Sequence, residues 1–279
     1  EHLEAHSEVK FVHASVLDQD QVEETLTGVE LVYHLAAAVG VNLIIQKPLE
    51  SLLTNIRGTE NVVESAYRHG ARILITSTSE IYGKNNSDSL GEEDDRILGS
   101  PLKSRWSYSE AKAIDEILAY TYHKEMGLES IIVRLFNTVG PRQTGTYGMV
   151  IPRFVKQALS NKPITVYGDG SQTRCFCSVT DVVKGITALA DHPEALGQVF
   201  NIGGTEEIAM SELAQKVVTL TESSSTIEHI PYDEVYEEGF EDMPRRVPNI
   251  AKAKNLVDFD PSTTLDEIIQ AVIRDQKSG

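Results

Sequence analysis

What this 279-residue chain has little of narrows its chemistry before any motif is considered. Cysteine occurs only twice, at Cys175 and Cys177, so thiols can assemble neither a disulfide framework nor a four-ligand zinc site. No metal centre is expected, and a reducing, cytoplasmic compartment is the default. Cationic side chains are scarce: 25 Lys and Arg stand against 42 Asp and Glu, a formal charge of −17. That field opposes a broad grip on nucleic acid or an anionic membrane, so an anionic ligand must be held by a few local donors. Long apolar runs are missing too. The most apolar stretch, Val29 to Ile45, carries His34 and Asn42 and falls short of the roughly 18 uninterrupted residues of a membrane span. Neither GxGxxG nor GxxGxxG occurs, and the opening Glu-His-Leu-Glu shows no initiator Met, basic segment or apolar signal core. No secretory address is therefore expected, and the start suggests a piece of a longer chain.

What is present reads as an α/β protein. β-rich runs alternate with helical patterns: Val9–Val12 then Gln19–Leu26, Leu31–Leu35 then Pro48–His69, Arg72–Ser77 then Tyr108–Met126, and Ser130–Leu135. This alternation predicts βαβ units on a doubly wound parallel sheet. The strand runs are almost continuously apolar, as strands are when helices cover both faces. Beyond Gly140-Pro141-Arg142 the loops lengthen, with helices expected near Ile151–Leu159, Ser211–Thr221 and from Leu265. Two lobes follow, 1–143 and 144–279, with 164–203 interleaved back toward the first. The acidic run Asp88–Asp95 reads as a solvated loop.

Candidate chemistry gathers at strand ends and at one helix start. Tyr108-Ser-Glu-Ala-Lys112 puts a phenol and an ammonium on one helix face, where the cation can lower the phenol's pKa and make it a usable acid/base. A surface i,i+4 pair has the same spacing, so context decides. The apolar run 73–76 ends in Ser77-Thr78-Ser79-Glu80, which offers hydroxyls and a carboxylate to a sugar at the edge where open α/β sheets bind ligands, or else simply caps the strand. His34-Leu35-Ala36-Ala37 ends another strand in small residues that admit a ligand to the backbone, although His34 alone suits a core. Asn137 and Arg142 end a third. The thiols of Cys175 and Cys177 suit buried filler better than a redox pair.

Together these pieces resemble the extended short-chain dehydrogenase/reductase superfamily, in its NAD-dependent nucleotide-sugar epimerase/dehydratase branch. The resemblance is carried in order by His34-Leu-Ala-Ala, Asn55-Ile-Arg-Gly-Thr59, Ser77-Thr-Ser-Glu-Ile-Tyr-Gly83, Tyr108-xxx-Lys112, Phe136-Asn-Thr-Val-Gly-Pro-Arg142, Val166-Tyr-Gly-Asp-Gly-Ser-Gln-Thr-Arg174 and Arg246-Val-Pro-Asn-Ile-Ala-Lys-Ala253. It implies a Rossmann-type NAD-binding first lobe and a smaller C-terminal α/β substrate-binding lobe. It implies that Tyr108 takes the proton from the hydroxyl at carbon 4 while hydride leaves for NAD. Thr78 shares that hydroxyl, Ser79 and Glu80 assist, and Lys112 binds the nicotinamide ribose and tunes Tyr108. NAD is expected against Val16, Leu35, Ala36, Ala37, Asn55, Ser77, Tyr108 and Lys112. Asn137, Arg174 and Arg246 are expected to hold the nucleotide diphosphate, with Arg142 and Tyr167 completing the substrate contacts. The family's first strand and glycine-rich loop, which bind the NAD pyrophosphate, are expected to precede this sequence.

The fate of the resulting 4-keto sugar divides the branch. Glu80 argues against the plainest 4-epimerase, and Thr-Ser-Glu with Arg105-Trp106-Ser107-Tyr108 resembles the UDP-glucuronate decarboxylases. That reaction is the first expectation, with a UDP-sugar 4-epimerase, a 4,6-dehydratase, or a catalytically silent nucleotide-sugar-binding protein as alternatives. Similar enzymes pair the two long helices between subunits, so a homodimer is expected.

Overall fold

A computed structural model describes residues 3, 6–40, 47–145, 149–235 and 243–278. In chain order its elements are α1 (Gln19–Thr25), β1 (Leu31–His34), α2 (Pro48–His69), β2 (Arg72–Thr78), α3 (Ser107–Met126), β3 (Ser130–Leu135) and β4 (Thr138–Val139). Then come α4 (Val150–Leu159), β5 (Ile164–Tyr167), β6 (Thr173–Cys175), β7 (Cys177–Ser178), α5 (Val179–Asp191), β8 (Val199–Ile202) and β9 (Glu207–Ala209). The last are α6 (Met210–Thr221), β10 (Ile227–Ile230), α7 (Tyr232–Val235), α8 (Ala251–Val257) and α9 (Leu265–Ser278). The long helices have legible ends. Pro48 opens α2, whose missing N–H costs nothing there, and the left-handed Gly70 and Gly127 close α2 and α3 behind basic last turns.

The central sheet has strand order β1-β2-β3-β8, every pair parallel. Its residues alternate between two cores. Ile73, Ile75 and Ile132 meet Val22, Val63, Ala66 and Ala119 from α1, α2 and α3, whereas Leu74, Ile131 and Val133 meet Val182, Ile186 and Leu189 of α5. Both faces are thus covered, which is why the strands lack polar alternation. A third core joins α4, α6 and α9 around Phe154, Leu213 and Ile269. A two-stranded parallel β5–β10 pair packs on it.

Two expectations are corrected. Val9–Val12 forms no strand: β1 is the edge of the described sheet, and without a neighbouring ladder Val9 and Phe11 lie exposed. The acidic run 88–95 is not merely solvated. Leu90 is buried, exchanges backbone hydrogen bonds with Val247 and Asn249 at 2.8 Å each, and is followed by Glu92, whose Oε1 accepts from the Asn201 N–H at 2.8 Å. The strap therefore ties the segment around Arg246 to the central sheet.

Candidate active site

β2 delivers its polar residues at the carboxyl end. There the chain turns tightly through Ser79–Tyr82, and the Thr78 hydroxyl accepts the Glu80 N–H at 3.2 Å. The capping and ligand readings of this segment are therefore compatible: Thr78 caps the turn and still faces a cavity of about 420 Å³. Ser109 Oγ donates to the Glu80 carbonyl at 2.9 Å, pinning the start of α3 against the turn. Tyr108 consequently lines the same cavity, while Lys112, one turn on, is buried beneath it.

Glu80 does not face the cavity as a lone carboxylate. Arg105 grips it through two nitrogens at 2.5 and 3.2 Å, and Arg246 Nη1 lies 3.6 Å from Glu80 and 3.4 Å from Ser79 Oγ. The Arg105 guanidinium sits 5.6 Å from the ring centre of buried Trp106, which seals the turn. Burial first, then the Glu80 carboxylate, then Asp115 push the Tyr108 phenol above its ordinary range. That is the opposite of what the Tyr-Lys spacing alone predicts. Burial outweighs the helix spacing, and Lys112, with its Nζ paired to Asp115 at 2.8 Å, does not offset it.

Leu35, Ala37, Ser77, Thr78, Ser79, Glu80, Tyr108, Asn137, Tyr167, Arg174 and Arg246 converge on the one cavity. Asn137 Nδ2 donates to the Cys175 carbonyl at 2.7 Å, and Arg174 Nη1 donates to the Thr173 carbonyl at 2.8 Å, so both are held in place by backbone. Other expected site residues lie elsewhere. Asn55 is a clamp: its amide accepts from Ala38 N at 2.7 Å and donates to Ala38 O at 3.1 Å, holding the loop after β1. Val16 packs against Gly58, where an added Cβ would stand 2.6 Å from its methyl. Ala36 is exposed and outside the cavity lining. Arg142 is also exposed, in a left-handed bend (φ 65°) whose N–H donates to Asp275 at 2.7 Å. His34 is a core residue, 3.0 Å from Thr59 Oγ1 and held neutral with its pKa lowered to about 4 by burial and the Lys112 charge. Burial pushes both thiols up to about 12, in keeping with inert filler.

Among the further lining residues, Arg105, Arg153 and Tyr232 carry ionisable groups to which sequence reading gave no role in the site. Arg105 had a signal, since it opens the Arg105-Trp106-Ser107-Tyr108 run that leads into the catalytic-type helix. Arg153, stacked 4.2 Å over Tyr167, and Tyr232, bonded to Gln172 at 3.1 Å, had none.

The nicotinamide end of a dinucleotide fits this arrangement. Small residues at the end of β1, the Ser77 and Thr78 hydroxyls and Tyr108 surround an open cleft at a strand-end crevice. The phosphate-binding glycine motif does not occur in the 279 residues.

Known proteins resemble this chain in sequence and fold. Residues 1–203 match the family described as the NAD dependent epimerase/dehydratase family. A UDP-N-acetyl-alpha-D-glucosaminuronate decarboxylase of Bacillus cytotoxicus is 38% identical over 98% of this chain and 84% of its own length. UDP-glucuronic acid decarboxylase 1 of Arabidopsis thaliana is also 38% identical, over 93% of this chain, which spans only 58% of that relative. Among solved structures, the UDP-glucuronic acid 4-epimerase of Bacillus cereus, in complex with UDP-glucuronic acid and NAD, superposes with TM-score 0.89 at 28% identity, covering 99% of this chain and 84% of its own.

Proposed function

We propose that this chain, which belongs to the NAD dependent epimerase/dehydratase family, decarboxylates a UDP-hexuronate after transient oxidation at carbon 4. The observation that carries this reading is the ionic cluster at the end of β2. Glu80, Arg105 and Arg246 stand beside Thr78 and Tyr108, and simple 4-epimerisation needs no such cluster.

NAD, when bound, supplies the acceptor for the hydride of carbon 4. Leu35, Ala37, Ser77 and Tyr108, which line the cavity, would hold its nicotinamide end, and buried Lys112 would stand one helical turn beyond Tyr108. Tyr108, once ionised, takes the proton of the carbon-4 hydroxyl, which Thr78 orients by sharing a hydrogen bond. The product is a β-keto acid. Breaking its bond to the carboxyl carbon releases carbon dioxide and leaves the electron pair on an enolate, whose oxygen faces the now protonated Tyr108 and Thr78. A proton from solvent adds to carbon 5, and return of the hydride to carbon 4 with the Tyr108 proton to its oxygen completes the pentose. Arg246, 3.4 Å from Ser79 Oγ, serves the sugar end in this reading. Asn137 and Arg174 remain for the diphosphate, supplying the focal donors that an acidic protein needs.

Incubation of the full-length protein with NAD and, separately, UDP-glucuronate, UDP-N-acetylglucosaminuronate, UDP-glucose and dTDP-glucose tests this by product mass and NMR. Loss of carbon dioxide supports it. Unchanged mass with inverted carbon 4 establishes instead the epimerase reading, favoured by the likeness to the Bacillus cereus enzyme, and water loss establishes a dehydratase. The reading extends to a homodimer, supported by exposed Ile114, Ile117 and Tyr120 on α3 and Tyr67 on α2. Two buried free thiols suit a reducing, cytoplasmic setting. Among the described residues no helix is long and apolar enough to cross a membrane.

A further inference from the structure

We propose that Asp115 is a positioning residue for catalysis: it anchors the Lys112 ammonium, offsets part of its charge, and so governs how readily Tyr108 releases its proton. The proposal rests on the reading of Tyr108 as the proton-transfer group.

Asp115 follows Lys112 by three residues on α3, one turn beyond it and two turns beyond Tyr108. Their charged atoms lie 2.8 Å apart, and both side chains are almost wholly buried, at 2% and 1% exposure. A lone charge at that depth is costly, so each depends on the other. The second carboxylate oxygen, Asp115 Oδ1, is buried with no hydrogen-bond partner among the described residues, so the lysine is the carboxylate's one bonded partner there; behind the pair, Thr59 of α2 lies 3.0 Å from His34 Nε2 of β1. With His34 neutral, this row carries no second cation toward α3. The Lys112 ammonium is therefore held within its own helix, with a counter-charge attached.

The consequence falls on Tyr108. Around it stand the Lys112–Asp115 pair from its own helix and Glu80 with its partners Arg105 and Arg246 from the turn and the later segment, while neutral His34 lies toward Thr59 and Lys112. Farther along α3, Glu116 is neutralised by Arg134. An unpaired lysine would favour phenolate, whereas a lysine already bound to a carboxylate favours it far less. The phenol's upward displacement by burial, Glu80 and Asp115 agrees with that geometry. Asp115 thus sets a threshold: the phenol stays protonated until a further positive charge or a basic solution draws the proton away.

The test is a titration of the phenolate by ultraviolet absorbance in the full-length protein, with Tyr108→Phe subtracted so that only Tyr108 is read. Asp115→Asn keeps a hydrogen-bond acceptor for Lys112 but removes the charge. Tyr108 should then ionise about one pH unit lower, and the tyrosine-dependent limb of the pH–kcat profile should move by the same amount. An unmoved or raised titration overturns the proposal. Should Asp115→Asn fail to fold, Lys112→Met/Asp115→Asn leaves no unpaired buried charge. If Asp115 offsets Lys112, this double variant titrates within about half a pH unit of wild type, and a rise beyond that overturns the offset. Retained turnover in Tyr108→Phe would instead defeat the functional reading itself, so the two failures are distinguishable.

Discussion

The catalytic-type helix is bolted to the sheet by one buried ion pair, and breaking that pair from either side should behave very differently from removing it whole. Arg134 of β3 reaches Glu116 of α3 through two bonds of 2.9 and 2.8 Å, with both side chains about nine-tenths buried. Arg134→Met leaves a buried carboxylate without its cation, which costs about 3–5 kcal/mol. Replacing both residues, as Arg134→Met/Glu116→Leu, removes the stranded charge and should recover most of that loss. Recovery will not be complete. Arg134 also donates to the Glu92 carbonyl at 2.8 Å and to Tyr82 Oη at 3.0 Å. Tyr82 keeps its own bond to Asn201 Oδ1 at 2.7 Å, so the residue left short is the Glu92 carbonyl, at about 1 kcal/mol. Urea unfolding of wild type, both single variants and the double variant closes the cycle. A double variant as unstable as Arg134→Met would refute the reasoning, because the penalty would then be lost packing and not an uncompensated charge.

Other consequences are as direct. Tyr108→Phe should lower turnover by about 10²-fold or more while leaving UDP-sugar affinity, measured calorimetrically, largely intact; retained turnover removes Tyr108 from the proton-transfer role. His34 has its folded pKa depressed from 6.5 to about 4, so the folded state binds fewer protons than the unfolded chain between those values. Its contribution is complete above about pH 6.5 and is lost toward pH 4, by about 3 kcal/mol; an identical acid slope in His34→Asn unfolding curves would contradict this. Cys175 and Cys177 should resist a thiol reagent at pH 8 until the protein unfolds, since burial pushes both up to about 12; rapid native labelling would show otherwise. Gly185→Ala gains up to about 1 kcal/mol of helix propensity but sets a Cβ 2.7 Å from the Phe259 ring. The crowding should win by about 1 kcal/mol, and a raised melting temperature would show that it does not.

Elements made by local rules were legible in the sequence. α2 ran from Pro48 to His69 as its proline, apolar spacing and following glycine required, and β3 matched Ser130–Leu135. The strand-end crevice was legible for the same reason, because an apolar run that stops in Thr-Ser-Glu must surface at a sheet edge. What escaped reading depends on partners distant in sequence. Val9–Val12 has strand composition, yet composition cannot supply a neighbour. Nor does spacing reveal how deeply Tyr108 is buried, or that Glu80 faces it and Asp115 pairs with Lys112, so the shift of the phenol is upward where the spacing alone predicts downward. Arg153 and Tyr232 reach the cavity only because α4, β5 and α7 fold together, and neither carries a local signature.

The acidic strap shows why the site must be understood as one object. Arg246 stands 166 residues beyond Glu80 in the chain, yet its guanidinium comes within 3.6 Å of that carboxylate. No regular element carries it there. Leu90 brackets the segment by accepting from Asn249 and donating to Val247 at 2.8 Å, and Arg245 is held to Glu207 of β9 at 2.8 Å. Glu92, two residues along the strap, fastens to the Asn201 N–H on β8. The position of Arg246 is thus referred, through the strap, to the same sheet that carries Glu80 and Thr78. A change at Leu90, remote from any chemistry, should therefore act at the site by displacing Arg246. It should alter the handling of the sugar more than the stability of the α4–α6–α9 core, to which the strap makes no contribution.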